Sequence, residues 1–514
     1  MQVLCTAPEV KRATIAELDG TLISAESGND ASLQDLRARN CYLYPSIEFQ
    51  SITAAKPNFT NAVQREPYHF ERLGADAVQF IQKKLNESLP LIQESAPYKK
   101  VEGLLKTAQE TYSTMDDTII DQDILKKDDQ SFKCIAWHPH KRILAIGYKD
   151  SQIYVYEIEE NQWKCRILRH EFMDNITCME WKDKAAATLA VGCEKGVCVW
   201  RLEKDSTKST AQFETYSNAV PASMLSSDAS GTRPRFHPNA SMSYFCYPDH
   251  HRISSLAWDP TPGSHLLAVA CSLSNTLVIY DTLLNRVHPL KRYGKGSVLL
   301  RWSPNGKWLY DGGSRATTRI WNTATWSFKH FKNPPGLWVQ AACWSPDSKS
   351  VFYSMVNKKY VHVLFLSADS IEKDVWEAQI LDIPATTSTT NDGVTVPVGG
   401  PIKDITIEQK HGYRLAIAHE NSDLLSLYKI KAVEPTNLRD KTLLVPIGYI
   451  RGAKTLYQPT GATDIIPIRD ATPLYVQYGY TDKRHAVLAV AWNTGMVSFV
   501  THEFAPDTQM QHFM

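Results

Sequence analysis

One phrase recurs along this chain: a short apolar run, an aromatic residue, then a proline or polar turn. It reads Cys134-Ile135-Ala136-Trp137-His138-Pro139 at its first occurrence. It returns as Cys178-Met179-Glu180-Trp181, Leu256-Ala257-Trp258-Asp259-Pro260, Leu300-Arg301-Trp302-Ser303-Pro304 and Ala342-Cys343-Trp344-Ser345-Pro346, with weaker copies around Ile407 and Tyr478. Two further β-branched or aromatic runs follow each copy, as in Ile143-Leu144-Ala145-Ile146-Gly147 and Ile153-Tyr154-Val155-Tyr156 after Trp137. Gly, Asn, Asp or Ser marks the gaps between runs, which is strand-and-turn punctuation. A unit of three or four strands cannot bury both of its faces alone, so such units must stack on one another.

Spacing says how they stack. The anchors at 137, 181, 258, 302, 344, 407 and 478 are separated by 44, 77, 44, 42, 63 and 71 residues. Three gaps match the roughly 40–45 residues of a WD40 propeller blade. The longer ones place insertions near 204–250, 383–401 and 452–472. The fold expected is all-β: a seven-bladed WD40-like β-propeller over 131–503. Trp137, Trp181, Trp258, Trp302 and Trp344 mark the same strand of successive blades, and Trp200 and Trp321 end third strands; each indole fills roughly 150–250 Å² of the wedge between blades. None of the chain's 13 tryptophans precedes Trp137.

The last unit reaches only its third strand at Val497-Ser498-Phe499-Val500. An open sheet edge invites unwanted pairing. Residues 12–24 are expected to cover it: Ala13-Thr14-Ile15-Ala16-Glu17-Leu18 reads as a strand, Asp19-Gly20 as a hairpin turn, and Thr21-Leu22-Ile23-Ser24 as its return. They belong to an N-terminal extension over 1–74. Residues 75–130 carry helical stripes, one of Val78, Ile81, Leu85 and Leu89 and one of Val101, Leu104, Leu105, Ala108, Tyr112, Met115 and Ile119, and are expected to form a helical appendage. A short tail, 504–514, ends the chain.

Composition excludes several functions. Lys and Arg number 56 against 55 Asp and Glu, so a net +1 gives no global field for nucleic acid, and no direct nucleic-acid contact is expected. No apolar run nears the ~20 residues of a membrane span, so any membrane association is expected to be indirect. The start, Met1-Gln2-Val3-Leu4-Cys5, lacks the form of a signal peptide. The cysteines show no CxxC pair, and Cys134, Cys178, Cys198 and Cys343 sit inside strand-like runs, as reduced thiols in a core do. No metalloprotease, nucleophile-elbow or P-loop motif is present; Gly294-Lys295-Gly296-Ser297 lacks the upstream glycine and the following helix. His138-Pro139-His140 and His250-His251 have no second ligand cluster at zinc spacing and read as turn histidines. No catalytic residue, metal or cofactor is expected, and a propeller enzyme is the least favoured reading.

Long loops on a rigid ring are common binding devices. The 204–250 insertion ends in a basic, aromatic segment: Arg233, Arg235, His237, Tyr244, Phe245, Tyr247, His250, His251 and Arg252. It ranks first as a partner-binding segment. The Thr-rich stretch at 384–393 reads as flexible.

The phrases at 134–139, 254–260, 299–306, 319–322 and 342–348 together resemble the aladin family of WD-repeat nucleoporins. Ala324-Thr325-Trp326-Ser327-Phe328 after the fourth unit, the final run Val487-Leu488-Ala489-Val490-Ala491-Trp492, and Thr14 to Ser24 add to the likeness. It covers 130–370 and 474–500 well and 25–130 loosely. The resemblance implies a non-enzymatic component of the nuclear pore complex that supports nucleocytoplasmic transport. It would sit at the nuclear envelope among other nucleoporins, anchored by a transmembrane ring nucleoporin. A soluble WD-repeat adaptor of another assembly, for ubiquitin ligation or RNA processing, is the alternative, since fold alone separates the two poorly.

Overall fold

The computed structural model describes residues 5–9, 12–25, 34, 36, 42–48 and 132–504, apart from 149–150, 160–161, 186, 203–239, 249, 293–295, 315–316, 335, 367–375, 384, 391–392, 421, 433–441, 453–455, 458–465, 468–471 and 483. The chain falls into two units, residues 1–48 with 130–514 and residues 49–129. The second unit, and with it the helical segment expected at 75–130, lies outside the described residues.

The first unit is an all-β, seven-bladed propeller. Blades 1 to 6 span 132–168, 178–245, 253–291, 297–332, 339–382 and 402–451, each a four-stranded antiparallel sheet whose strands follow in chain order from inner to outer. Blade 7 takes its three inner strands from 473–503. The inner strand of each blade lies against the inner strand of the next, and that of blade 7 against that of blade 1. Second strands such as Thr188–Gly192, Trp308–Gly313 and Arg414–His419 are buried along their whole length. They are covered on both faces, which is why they read as continuous apolar runs instead of alternating ones.

The seven repeat positions fall at one point of the blade. Trp137 pairs with Leu144, Trp181 with Leu189, Trp258 with Leu267, Trp302 with Leu309, Trp344 with Val351, Ile407 with Leu415 and Tyr478 with Leu488. Trp200 and Trp321 pair with Leu189 and Leu309 from the other side, and all seven tryptophans expected in blade cores are buried. The indoles do more than fill space. Trp181 donates Nε1–H to Ala136 O (2.9 Å), Trp258 to Glu180 O (3.2 Å) and Trp344 to Arg301 O (2.9 Å). In each case the acceptor is the residue just before the anchor of the preceding blade. Trp302 departs from this pattern and donates within its own blade, to Gly306 O.

Two insertions have more structure than their composition suggests. The Thr-rich stretch, expected to be flexible, forms a hairpin of Thr386–Thr389 against Thr395–Val398. Ser388 Oγ donates to Cys5 O and accepts from Ala7 N, so the N-terminus fixes the hairpin. Threonine's β-branched backbone preference outweighed the polarity that suggested a loop. The 204–250 insertion is shorter than expected, because Ala240–Phe245 is the outer strand of blade 2. Within 452–472, Leu456–Tyr457 pairs with Ile466–Pro467.

The outer edge of blade 7 is met by two N-terminal segments. Ala13–Leu18 runs parallel to the last strand, Met496–Glu503, with Ala16 opposite Thr501 and Leu18 opposite Glu503, and Thr21–Ala25 folds back on it. Ile47–Glu48 pairs antiparallel with the other half of the same strand, at Val497 and Met496.

Replacing Trp181 with Phe keeps most of the wedge but leaves Ala136 O without its indole donor. A loss of about 1–2 kcal/mol is expected, against about 3–5 kcal/mol for Trp181→Ala, both read from urea unfolding midpoints.

Candidate functional site

Charge is buried where the N-terminus meets blades 6 and 7. Glu17 sits in an otherwise apolar strand and is fully buried. Its carboxylate accepts two bonds from Arg414 Nε at 3.1 Å and one from Arg414 Nη2 at 2.6 Å. His502 Nδ1 lies 2.6 Å from Oε2, and Gly20 N donates to Oε1 across the tight turn, where Gly20 adopts φ +90°. Burial alone would raise the carboxyl pKa. The His502 hydrogen bond and charge, and then those of Arg414, override it and bring the group down to about 2. Three segments far apart in sequence thus share one ionic cluster. Arg414 opens the second strand of blade 6, His502 ends blade 7, and Glu17 comes from the extension. Around it Thr14 Oγ1 accepts from Arg451 N (3.1 Å), and Leu22 packs into the core of blades 6 and 7.

The seam between blades 7 and 1 is aromatic. Tyr44 packs against Trp137, Trp163 and Phe499 with ring centres 5.9–6.1 Å away. Trp163 Nε1 donates to Pro45 O (2.7 Å), and Thr501 Oγ1 to Tyr42 O (2.8 Å). The Trp137 ring lies so close to Gly479 that a Cβ there would meet it at 2.2 Å. A cleft of about 220 Å³ opens beside these groups, lined by Tyr42, Tyr44, Arg142, Tyr480, Asp482 and His485 among others. The Arg142 guanidinium lies 4.4 Å over the Tyr42 ring and 5.2 Å over that of Tyr480, so the chain's own cation occupies this aromatic cage.

The segment expected to bind partners divides differently. Arg233, Arg235 and His237 lie outside the described residues. Phe245 is buried in the core between blades 2 and 3, its ring 5.5 Å from Tyr280. Tyr244 packs on Phe172 (4.6 Å) and donates its hydroxyl to Lys195 O. Tyr247 meets His250 edge-on; His250 is buried with Nε2 2.8 Å from Thr276 O of blade 3. Arg252 takes φ 54°, and its Nε lies 3.5 Å from Glu194 Oε2. Phe245, Tyr247, His250 and Arg252 therefore join blade 2 to blade 3, while Tyr244 faces the other way, onto the core of blades 1 and 2. The turn histidines likewise link blades: His140 Nε2 lies 2.5 Å from Asp183 Oδ1, and His138 packs against Trp181. Burial, with the charges of Lys141 and His140, lowers the His138 pKa to about 4.

These geometries bear on a comparison with known proteins. A family model described as the Anaphase-promoting complex subunit 4 WD40 domain matches residues 120–184. Aladin of Arabidopsis thaliana is 22% identical over 373 residues, covering 70% of this chain and 73% of its own length. The chain is a distant relative of aladin. An aligned length of 373 residues is far longer than one blade, so the likeness to aladin runs over several blades. Protein transport protein sec31 of Aspergillus terreus is 22% identical over 233 residues, 44% of this chain; the chain spans about a sixth (16%) of that relative's length. A chain in the crystal structure of the mitotic checkpoint complex superposes with a TM-score of 0.44 at 15% identity, covering 72% of this chain and 87% of that one.

Sequence reasoning missed Glu17, Arg414 and His502. The available signal was a charge placed inside an apolar strand, as in Ala13–Leu18 and Arg414–His419. Glu17 ties pH to stability. Its pKa is about 2 folded against an ordinary 4.5, so the stabilisation is complete above pH 4.5 and is lost as pH falls toward 2. The window is worth about 3 kcal/mol, and acid titration of the unfolding free energy should show it. In Glu17→Gln this acid step should vanish, and at pH 7 the variant should lose about 3–5 kcal/mol because Arg414 is left buried without its partner.

Proposed function

We propose that the chain is a non-enzymatic scaffold nucleoporin of the nuclear pore complex and supports nucleocytoplasmic transport through protein–protein contacts. The observation that carries this reading is the likeness to aladin across most of the propeller. The described part of the fold agrees with it. The rigid ring offers two loop faces and an outer rim, and no described helix is long and apolar enough to cross a membrane. Attachment to the nuclear envelope would then come from partners: other nucleoporins, including a transmembrane ring nucleoporin. The expected role involves no catalysis, no cofactor and no direct nucleic acid. Tagging the native gene with a fluorescent protein should give a punctate nuclear rim, and proximity labelling should return nucleoporins. Diffuse cytosolic signal without nucleoporin neighbours would instead favour a WD-repeat adaptor of another assembly, a reading to which the subunit 4 domain match at 120–184 lends support.

The reading extends to how the ring is held. The N-terminal hairpin, on this proposal, closes the propeller as the fourth strand of blade 7, with the Glu17 cluster as its lock. Deleting residues 12–24 removes that strand, the cluster and the Leu22 contact at once. The melting temperature should fall by on the order of 10 °C, measured by scanning calorimetry. An unchanged melt would sink this part of the proposal and leave the pore assignment standing.

A further inference from the structure

Charge is unevenly placed in a chain whose total is +1. Between Thr282 and Pro346 there are ten Lys or Arg and one carboxylate, Asp311. This stretch makes the outer edge of blade 3 and all of blade 4. Asp311 is fully buried. It accepts from Ser297 Oγ and from Trp321 Nε1 (3.3 Å), and Arg292 Nη1 lies 3.3 Å away, so its charge is matched inside the blade. The surface of the stretch keeps its cations.

Among the described residues, Arg286, Lys291, Lys329 and Lys332 are exposed on the outer strands of two neighbouring blades, Arg286–Lys291 and Ser327–Lys332, in each of which every side chain but one is exposed. Alternation sets their direction. Leu290 packs into the core shared by blades 3 and 4, so Arg286 and His288 stand on the side of blade 3 that faces blade 4. The Phe328 ring lies 4.7 Å from that of Trp321, a member of the same core, so Phe328, His330 and Lys332 stand on the facing side of blade 4. Phe331, on the opposite side, packs into the core between blades 4 and 5. The Arg319 guanidinium lies 5.7 Å over the Phe328 ring. Two basic walls therefore flank an aromatic ring that is 42% exposed. Neither strand carries a carboxylate. Asp281, which pairs with Arg286, has its Oδ1 occupied by the backbone N–H groups of Leu283 and Leu284.

We propose that this seam binds an acidic, extended segment of a partner protein, with carboxylates against Arg286, His288, His330 and Lys332 and an apolar side chain on Phe328. The exposed Leu283 and Leu284, in the turn just before Arg286, suit the apolar half of such a segment. Nucleic acid suits the seam less well, because a single aromatic platform cannot stack successive bases. Pro289 and the lysines on the free edges disfavour addition of a further strand, so recognition runs through side chains. The inference does not rest on the nuclear pore reading.

The test uses the full chain and a fluorescein-labelled peptide that alternates Asp with Leu and Phe, followed by anisotropy. Binding should saturate, weaken with added salt, and fall about tenfold or more in Arg286→Glu/Lys332→Glu and in Phe328→Ser. The milder Arg286→Gln/Lys332→Gln pair should fall in the same direction, and it carries the test if the reversed charges disturb folding. Equal affinity in the variants and the parent overturns the proposal. So does a poly-uridine oligonucleotide, or a phosphatidylcholine–phosphatidylserine vesicle, that binds more tightly than the peptide and loses binding in the same variants.

Discussion

A propeller blade covers its two faces only by lying between two others, so the structure depends on the first and last blades meeting. Nothing in the local chemistry of blades 2 to 6 secures that meeting; each of those blades finds its neighbour one repeat away in sequence. The seam between blade 7 and blade 1 joins residues more than 300 positions apart, as when Gln477 Oε1 accepts from Trp137 N. Closing a loop of that length carries an entropy cost that grows only slowly with length but must still be met by contacts at the seam. That seam is held mainly by aromatic packing, and the adjoining junction of the N-terminus with blades 6 and 7 is held by charge. Glu17, Arg414 and His502 form one buried cluster, and Tyr44 fills the aromatic gap among Trp137, Trp163 and Phe499.

A buried ionic cluster is an expensive way to hold a strand, since desolvation of the charges can offset much of their attraction. Its value lies in directionality. An apolar strand can slip by two residues along an edge and still bury its face, whereas the Arg414 fork fits the Glu17 carboxylate at one register only. With Glu17 opposite His502 and Gly20 N closing the turn onto the same carboxylate, the parallel pairing of Ala13–Leu18 is set at its middle. The buried Asp311 does comparable work in blade 4, fixing Ser297 of the inner strand, Trp321 of the third and Arg292 of the entering loop with one carboxylate.

How much of this was legible in the sequence follows from what carries each feature. The ring was legible because its determinant repeats: anchors 42–44 residues apart, or farther where an insertion intervenes, mark one register point, and even Ile407 and Tyr478 sit there without a tryptophan. The Ala13–Leu18 pairing was foreseeable from a missing strand and an Asp-Gly turn. The ionic cluster was not, because its members are separated by up to 485 positions and no spacing rule links them. The aromatic segment ending at Arg252 was ambiguous for a different reason. Aromatic and basic residues in a long gap look the same whether they wait for a partner or bridge two blades, and only the Phe245–Tyr280 and His250–Thr276 contacts tell the two apart.

The same distinction bears on the charge that carries the proposed partner surface. A whole-chain charge of +1 hid a stretch with ten cations and one buried carboxylate, because the sum is balanced by acidic residues counted outside it. Screening confines the influence of an exposed charge to about 8–10 Å, so the total is uninformative and the charge on each blade edge is what an incoming chain meets. A propeller gives its outer strands the least packing and thus the most freedom to vary. The strands Arg286–Lys291 and Ser327–Lys332 use that freedom for cations, which both protect a free edge and bias what can approach it. Structure and recognition are divided accordingly: inner strands and indoles hold the ring, and the rim is where blades differ from one another.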